Sequence, residues 1–183
     1  MKKIASTFLK FSFSLSSSSF VVDIGSNDGI LLAPFKKCGV RVLGVDPAKT
    51  VAHDARRKGI PTEVAFFNAK FAVRMAKKYG RADIITATNV FAHIDDIHDI
   101  ARGVKTLLKQ NGVFIIEVPY IADLLEQNLF DTVYHEHLSY FSVTALQMLS
   151  KRTGMRIVDV TACLPEKRED GVTGARRKLI HQC

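Results

Sequence analysis

An alternation constrains this chain more than any other feature. Short β-branched runs recur along it, each closed by glycine, proline or a polar pair, with helix-length stretches between them. Residues 20–24 (FVVDI) stop at Gly25, residues 41–45 (RVLGV) at Asp46-Pro47, and residues 82–88 (ADIITAT) at Asn89. Residues 62–67 form a third run in chain order, residues 113–118 follow the turn Asn111-Gly112, and residues 155–160 follow Gly154. Continuous apolar runs of this length read as strands buried on both faces. Between the first two, Asn27 and Asp28 supply N-cap chemistry, and Ile30, Leu31, Leu32 and Phe35 recur at helical spacing. Further helical patterns cover about 48–58, a basic stretch up to Tyr79-Gly80, about 96–109, a short piece at Leu124-Leu125, and about 143–152. Strand and helix in strict alternation predict an α/β, Rossmann-like, doubly wound and mostly parallel sheet with helices on both faces. At 183 residues the expectation is one domain.

The two ends differ from this middle. The first 19 residues carry early lysines and a serine run; Lys10 and Ser12 interrupt the apolar stretch, which reads as a flexible leader rather than a signal peptide. Residues 20–165 form the folded domain. Residues 166–183 are charged, carry Gly171 and Gly174, and show no period, so a basic disordered tail is expected there. Much of the net charge of +8 sits at these ends, in Lys2, Lys3, Lys10, Lys167, Arg168, Arg176, Arg177 and Lys178. Such placement describes solvated termini and argues against nucleic acid as a partner. No stretch is apolar and long enough to span a membrane. The cysteines Cys38, Cys163 and Cys183 are odd in number and lack CxxC spacing, so neither a disulfide framework nor a zinc site is expected. A reducing, cytoplasmic location follows.

The segment DIGSNDG (residues 23–29) falls at the carboxyl end of the first strand, where an open α/β sheet binds its ligand. A dinucleotide fingerprint needs a middle glycine so that backbone can meet a pyrophosphate. Asn27 stands there, and Ile30 occupies the final glycine position. A ligand without phosphates has no such need, and S-adenosylmethionine is one. Its ammonium and sulfonium suit a carboxylate such as Asp23, and Gly25, Ser26, Asn27 and Gly29 form the turn that would hold it. Asp46, closing the second strand, can accept both ribose hydroxyls. Phe67 and Asn89, past the third and fourth strands, could frame the adenine.

A second constellation is TVYHEHLSYFS, residues 132–142. In an extended segment Tyr134 and Glu136 share one side, with His135 and His137 on the other. A histidine near its normal pKa removes a proton at neutral pH, a carboxylate orients it, and a phenol hydrogen-bonds a substrate oxygen. This equipment suits enolate chemistry beside a carbonyl. A His-x-His metal site lacks an evident third ligand. The polar run HIDDIHD (residues 93–99) reads as a solvated helix start, with His93 near the cofactor.

Taken together, VVDIGSNDGILL, VLGVDPA, ATNVFAHI and above all YHEHLSYFS resemble the S-adenosylmethionine-dependent sugar C-methyltransferases, such as those acting on carbon 3 of nucleotide-linked 4-keto-deoxysugars. The resemblance covers roughly residues 20–165. It implies a class I methyltransferase fold, cofactor contacts from Asp23, Gly25, Asn27, Gly29, Asp46 and Asn89, and His137 as catalytic base beside Tyr134 and Glu136. A small-molecule acceptor, a nucleotide-linked sugar, is implied. The chain departs from the family pattern at both ends, with no N-terminal zinc module and no C-terminal second domain. The resemblance therefore also implies a sheet missing its last antiparallel strand and a truncated or shortened relative. The alternative is a non-catalytic cofactor-binding remnant. An RNA methyltransferase on the same fold is disfavoured, because Asn89-Val90-Phe91-Ala92 lacks an Asn/Asp-Pro-Pro-Tyr-like motif.

Overall fold

The computed structural model describes residues 15–128, 133, 135–163 and 176–182. Five parallel strands run in the order β3-β2-β1-β4-β5: β1 Phe20–Ile24, β2 Arg41–Asp46, β3 Thr62–Val64, β4 Ala82–Thr88 and β5 Leu108–Pro119. Helices link them: α1 Ala33–Lys37, α2 Lys49–Arg57, α3 Ala69–Tyr79 and α4 Ile97–Leu107. Beyond β5 come α5 Ile121–Glu126, α6 Val143–Thr153, β6 Arg156–Cys163 and β7 Arg176–Gln182. β1 and β4 are adjacent and parallel, so the strand order reverses beside β1. A crevice opens at such a reversal, outside the carboxyl ends of the strands.

Alternate residues of each strand feed two apolar layers. On one face Val22, Leu43, Ile85 and Phe114 pack with α3, α4 and α6, through residues such as Met75 and Leu146. On the other, Val21, Val42, Ile84 and Ile115 pack with Leu32, Ala55 and Ile60. Among the described residues, no helix is long and apolar enough to cross a membrane.

Several expectations are corrected. The sheet does not lack an antiparallel strand. β7 lies between β5 and β6 and pairs antiparallel with both, from Val113↔Gln182 to Pro119↔Arg176 and from Arg156↔Gln182 to Cys163↔Arg176. Residues 176–182 of the expected disordered tail are therefore strand. The apolar run of β5 would otherwise present a row of unpaired N–H and C=O groups, and β7 satisfies them. At the other end, Leu15 packs against the second apolar layer, Ser19 is buried, and its N–H donates to the Ser16 carbonyl at 3.0 Å. The stretch 15–19 is thus the entry turn of β1 rather than part of a loose leader. The first helix begins at Ala33, not at Asn27 or Asp28, because Pro34 can stand only in a first turn. β3 stops at Val64, short of the expected Phe67.

Candidate active site

β1 ends at Gly25 with φ +68°, and the chain turns back over the neighbouring strand. The Gly25 and Ser26 N–H groups both donate to the Val45 carbonyl, at 2.8 and 3.2 Å, and the Asn27 N–H donates to Asp46 Oδ2 at 2.9 Å. The turn is thereby hung on the end of β2. Packing as well as conformation demands the glycine: a Cβ on Gly25 would lie 2.7 Å from Val90 Cγ2. Val90 belongs to the loop after β4, so the first and fourth loops are in contact. Asn27, at φ +48°, is a residue type that enters the left-handed region at low cost. Asp28 accepts from the Ile30 N–H at 3.3 Å and from Lys58 Nζ at 2.5 Å, which ties the turn to the end of α2 and lowers the Asp28 pKa. This is its work in place of the expected helix cap.

Gly25→Ala should therefore strike the turn twice. The left-handed backbone costs a non-glycine residue about 1–2 kcal/mol, and Val90 must also move. A drop in Tm of roughly 3–8 °C by thermal scanning is expected, together with weaker binding of any ligand seated on the turn.

Asp46 is buried, and its two oxygens accept the N–H groups of Asn27 and Ala48 at 2.9 Å each. A carboxylate oxygen carries two lone pairs, so each retains one for a ligand hydroxyl. Asp23 is deeper. It is 3% exposed, and Thr86 Oγ1 donates to its Oδ1 at 2.6 Å. Desolvation raises its pKa to about 7; the Thr86 hydrogen bond opposes the rise, and the Asp46 charge adds to it. Among the described residues no ion pair reaches Asp23, so a cation is what this carboxyl lacks. Among the described residues, Ser26 Oγ is buried without a hydrogen-bond partner, over Gly44, where a Cβ would lie 2.4 Å from it. The donor set fits S-adenosylmethionine: a phosphate-free turn, an acceptor-rich carboxylate closing β2, and an unpaired buried carboxyl below.

Phe67 does not frame this crevice. It is 6% exposed and packs edge-to-face on Phe71 in the core. The early end of β3 shifts the phase by one residue and leaves Phe66 outside, 78% exposed, two residues beyond Val64, which pairs with Asp46. An exposed phenylalanine just past the strand paired with Asp46 is legible in the sequence only once the end of β3 is known. Asn89 is exposed at φ +56°, its N–H donating to the Glu117 carbonyl at 3.0 Å across the ends of β4 and β5.

The histidine segment closes over those same ends. The Ser139 N–H donates to the Ala92 carbonyl at 3.2 Å, the Ile121 N–H to the Phe141 carbonyl at 3.0 Å, and Tyr120 bridges Phe141. Phe141 is buried against Phe91, ring centroids 5.4 Å apart, and Phe91 meets Phe114 of β5 at 6.1 Å. This aromatic anchor fixes the segment where β4 and β5 stop. The His137 ring then lies 4.8 Å from His93 and 5.8 Å from Tyr140. His93 Nδ1 is 2.7 Å from the Glu136 carbonyl. A carbonyl only accepts, so that nitrogen carries the hydrogen.

Residues 135–136 form a turn, which corrects the expected extended segment and its two-sided alternation. His135 and Glu136 are exposed, and it is the Glu136 backbone carbonyl that engages His93. Tyr134 lies outside the described residues. His93, expected on the cofactor side, joins the acid–base cluster. Asp96 caps α4 by accepting from the Asp99 N–H at 2.8 Å, and Asp99 reaches the Ala69 N–H at 3.0 Å. Among the described residues, no group of three or more His, Cys, Asp or Glu could hold a metal ion.

A family model described as a methyltransferase domain matches residues 1–160. The C-methyltransferase NovU of Streptomyces niveus is 44% identical over 146 residues, 80% of this chain and 35% of that protein. A ubiquinone biosynthesis O-methyltransferase of Rhodopseudomonas palustris (strain TIE-1) is 27% identical over 52% of this chain and 38% of its own. The chain thus spans well under half the length of these curated relatives. A SAM-dependent methyltransferase from Anabaena variabilis superimposes with a TM-score of 0.74 at 16% identity, over 98% of this chain and 83% of that one. Magnesium protoporphyrin IX methyltransferase from Synechocystis, with bound SAH, gives 0.70 at 13% identity, over 99% and 80%. At these identities the structures carry the fold alone.

Proposed function

Because the chain belongs to the methyltransferase-domain family, we propose that it is an S-adenosylmethionine-dependent C-methyltransferase acting on a carbon alpha to a carbonyl, in a nucleotide-linked keto-sugar. One observation carries the reading. Loops from β1 and β4 touch through Gly25 and Val90, and the loop after β4 also holds His93 against His137. A ligand turn and an imidazole pair therefore share one crevice.

S-adenosylmethionine, when bound, supplies an electrophilic methyl group on a sulfonium. Asp46 holds the ribose hydroxyls with its spare lone pairs, and Phe66 offers a face to the adenine. Gly25, Ser26, Asn27 and Gly29 shape the seat, Asn89 borders it, and Asp23 lies beneath as counter-charge. His137 takes the proton from the carbon alpha to the ketone. His93 fixes the His137 segment through its Nδ1–H bond to the Glu136 carbonyl. Holding base and carbon in one geometry removes much of the entropic barrier. The likeness of NovU, named a C-methyltransferase, supports carbon as the acceptor atom.

Calorimetry with S-adenosylmethionine tests the cofactor half. Saturable binding is expected, weakened about 10–100-fold in Asp46→Asn, which exchanges an acceptor oxygen for an amide donor. Absence of binding ends the reading. In the acceptor half, a keto-deoxysugar nucleotide in heavy water should gain deuterium at its alpha carbon. Cofactor binding with no exchange and no methylated product identifies a binding protein without turnover.

A further inference from the structure

We propose that Tyr140 is a positioning residue for the base: its ring, not its hydroxyl, holds the His137 imidazole in the orientation from which it takes the proton. The task of the base rests on the C-methyltransferase reading above; the contact rests on ring geometry alone.

A histidine side chain does not orient itself. Its terminal torsion is broad and two-fold, so packing decides where the ring nitrogens point. Residues 135–136 form an exposed turn, and the hydrogen bond from His93 Nδ1 to the Glu136 carbonyl fixes a peptide there. A fixed peptide leaves the His137 side-chain torsions to its neighbours. Two rings meet the imidazole. His93 lies 4.8 Å away, tilted at 48°, and Tyr140 lies 5.8 Å away at 86°, edge to face. Both separations fall in the range where ring pairs attract. Contacts at two such different angles oppose rotation in two directions, which a single stack does not.

Tyr140 can do the holding because the chain is pinned on both sides of it. Immediately before it, the Ser139 N–H donates to the Ala92 carbonyl at 3.2 Å. Immediately after it, Phe141 is buried, bridges Tyr120 and packs on Phe91, and its carbonyl accepts from the Ile121 N–H at 3.0 Å. Ser142 then caps α6 by accepting from the Ala145 N–H at 3.1 Å. His137 stands two residues ahead of the first of these anchors, and the Tyr140 ring reaches back to it. The orientation of the imidazole is thereby referred to the ends of β4 and β5, where the aromatic anchor sits. Phenylalanine presents the same edge and face without the hydroxyl, so it separates the work of the ring from that of the phenol.

Tyr140→Phe and Tyr140→Leu in the full chain separate the possibilities. Three readouts are compared with the parent: deuterium exchange at the alpha carbon of a keto-deoxysugar nucleotide, calorimetry with S-adenosylmethionine, and the His137 Cε1–H NMR resonance, assigned by its loss in His137→Ala. In Tyr140→Leu the exchange kcat should fall about 10–100-fold, as for a base displaced by about 1 Å, while KM and S-adenosylmethionine affinity stay within about threefold. Tyr140→Phe should stay within about threefold of the parent throughout. The His137 resonance should move in Tyr140→Leu and hold its place in Tyr140→Phe. Where Tyr140→Leu does not fold, Tyr140→Met, also without a ring, takes its place with the same expectations. Exchange that falls as far in Tyr140→Phe as in Tyr140→Leu overturns the proposal and gives the role to the hydroxyl. A raised KM at unchanged kcat overturns it in favour of direct contact with the acceptor. A His137 resonance that stays put in the ringless variant overturns it as well. A parent that binds S-adenosylmethionine but exchanges no proton, while the resonance still moves only in the ringless variant, removes the keto-sugar reading and leaves Tyr140 as the holder of the His137 ring.

Discussion

On the proposed mechanism, His137→Ala should slow alpha-proton exchange in a keto-sugar nucleotide about 10²–10⁴-fold, the range that a positioned general base supplies. S-adenosylmethionine affinity in the same variant stays within about threefold. The dissociation of the two effects is the point of the measurement. The His137 ring packs on His93, in the loop after β4, and on Tyr140 of its own segment. The segment's position rests on Phe141, which stays in place when the imidazole is removed. A truncated imidazole should therefore cost chemistry and spare the cofactor seat. His93→Phe tests positioning: it keeps a ring against His137 and removes the Nδ1–H bond to the Glu136 carbonyl. Its exchange rate should fall less than that of His137→Ala. Exchange unaltered in His137→Ala removes this residue as the base.

Much of this arrangement was legible in the residues, for identifiable reasons. β1, β2, β4 and most of β5 are β-branched runs buried on both faces, and burial of that kind leaves a continuous apolar signature. β3 and β7 leave none. β3 is Thr-Glu-Val, an edge strand of three residues, and the apolar Ala65-Phe66-Phe67 that follows it mimics a longer strand. Phe67 is therefore buried and Phe66 exposed, since neighbouring residues of an extended chain face opposite ways. β7 is half charged by sequence, and such a run carries no strand signature; its strand identity comes from a non-local demand, the otherwise unpaired edge of β5. At the site, the glycine spacing showed the turn because only glycine tolerates both φ +68° and the contact with Val90. The partnership of His93 with the His137 segment, 43 residues apart, depends on where β4 and β5 end and had no local sign.

Asp23 should make the stability of the ligand-free protein fall as pH rises from about 4 to about 7. Its carboxyl is buried, chiefly desolvated, and pushed from 3.8 to about 7. A raised carboxyl pKa means that the folded state holds a proton which the unfolded state has already released. Asp23 therefore destabilises nothing below pH 3.8, where both states are protonated. Its penalty grows between 3.8 and 7 and is complete above 7. At 1.36 kcal/mol per unit the full loss is about 4 kcal/mol. Asp23→Asn keeps an acceptor for the Thr86 hydroxyl and removes the ionisation. Its unfolding free energy, from denaturant titrations at pH 5 and pH 8, should lose most of the downward slope and exceed that of the parent at pH 8. The same physics acts on the ligand with opposite sign. A cation seated above the turn favours the ionised carboxyl, so binding S-adenosylmethionine below pH 7 should release a proton. Calorimetry in buffers of different ionisation enthalpy would show that release, and Asp23→Asn should abolish it while weakening the complex. A parent whose stability is flat between pH 4 and 7, equal to that of Asp23→Asn throughout, would mean that Asp23 is solvated and ionised in the folded protein, and the counter-charge argument would go with it.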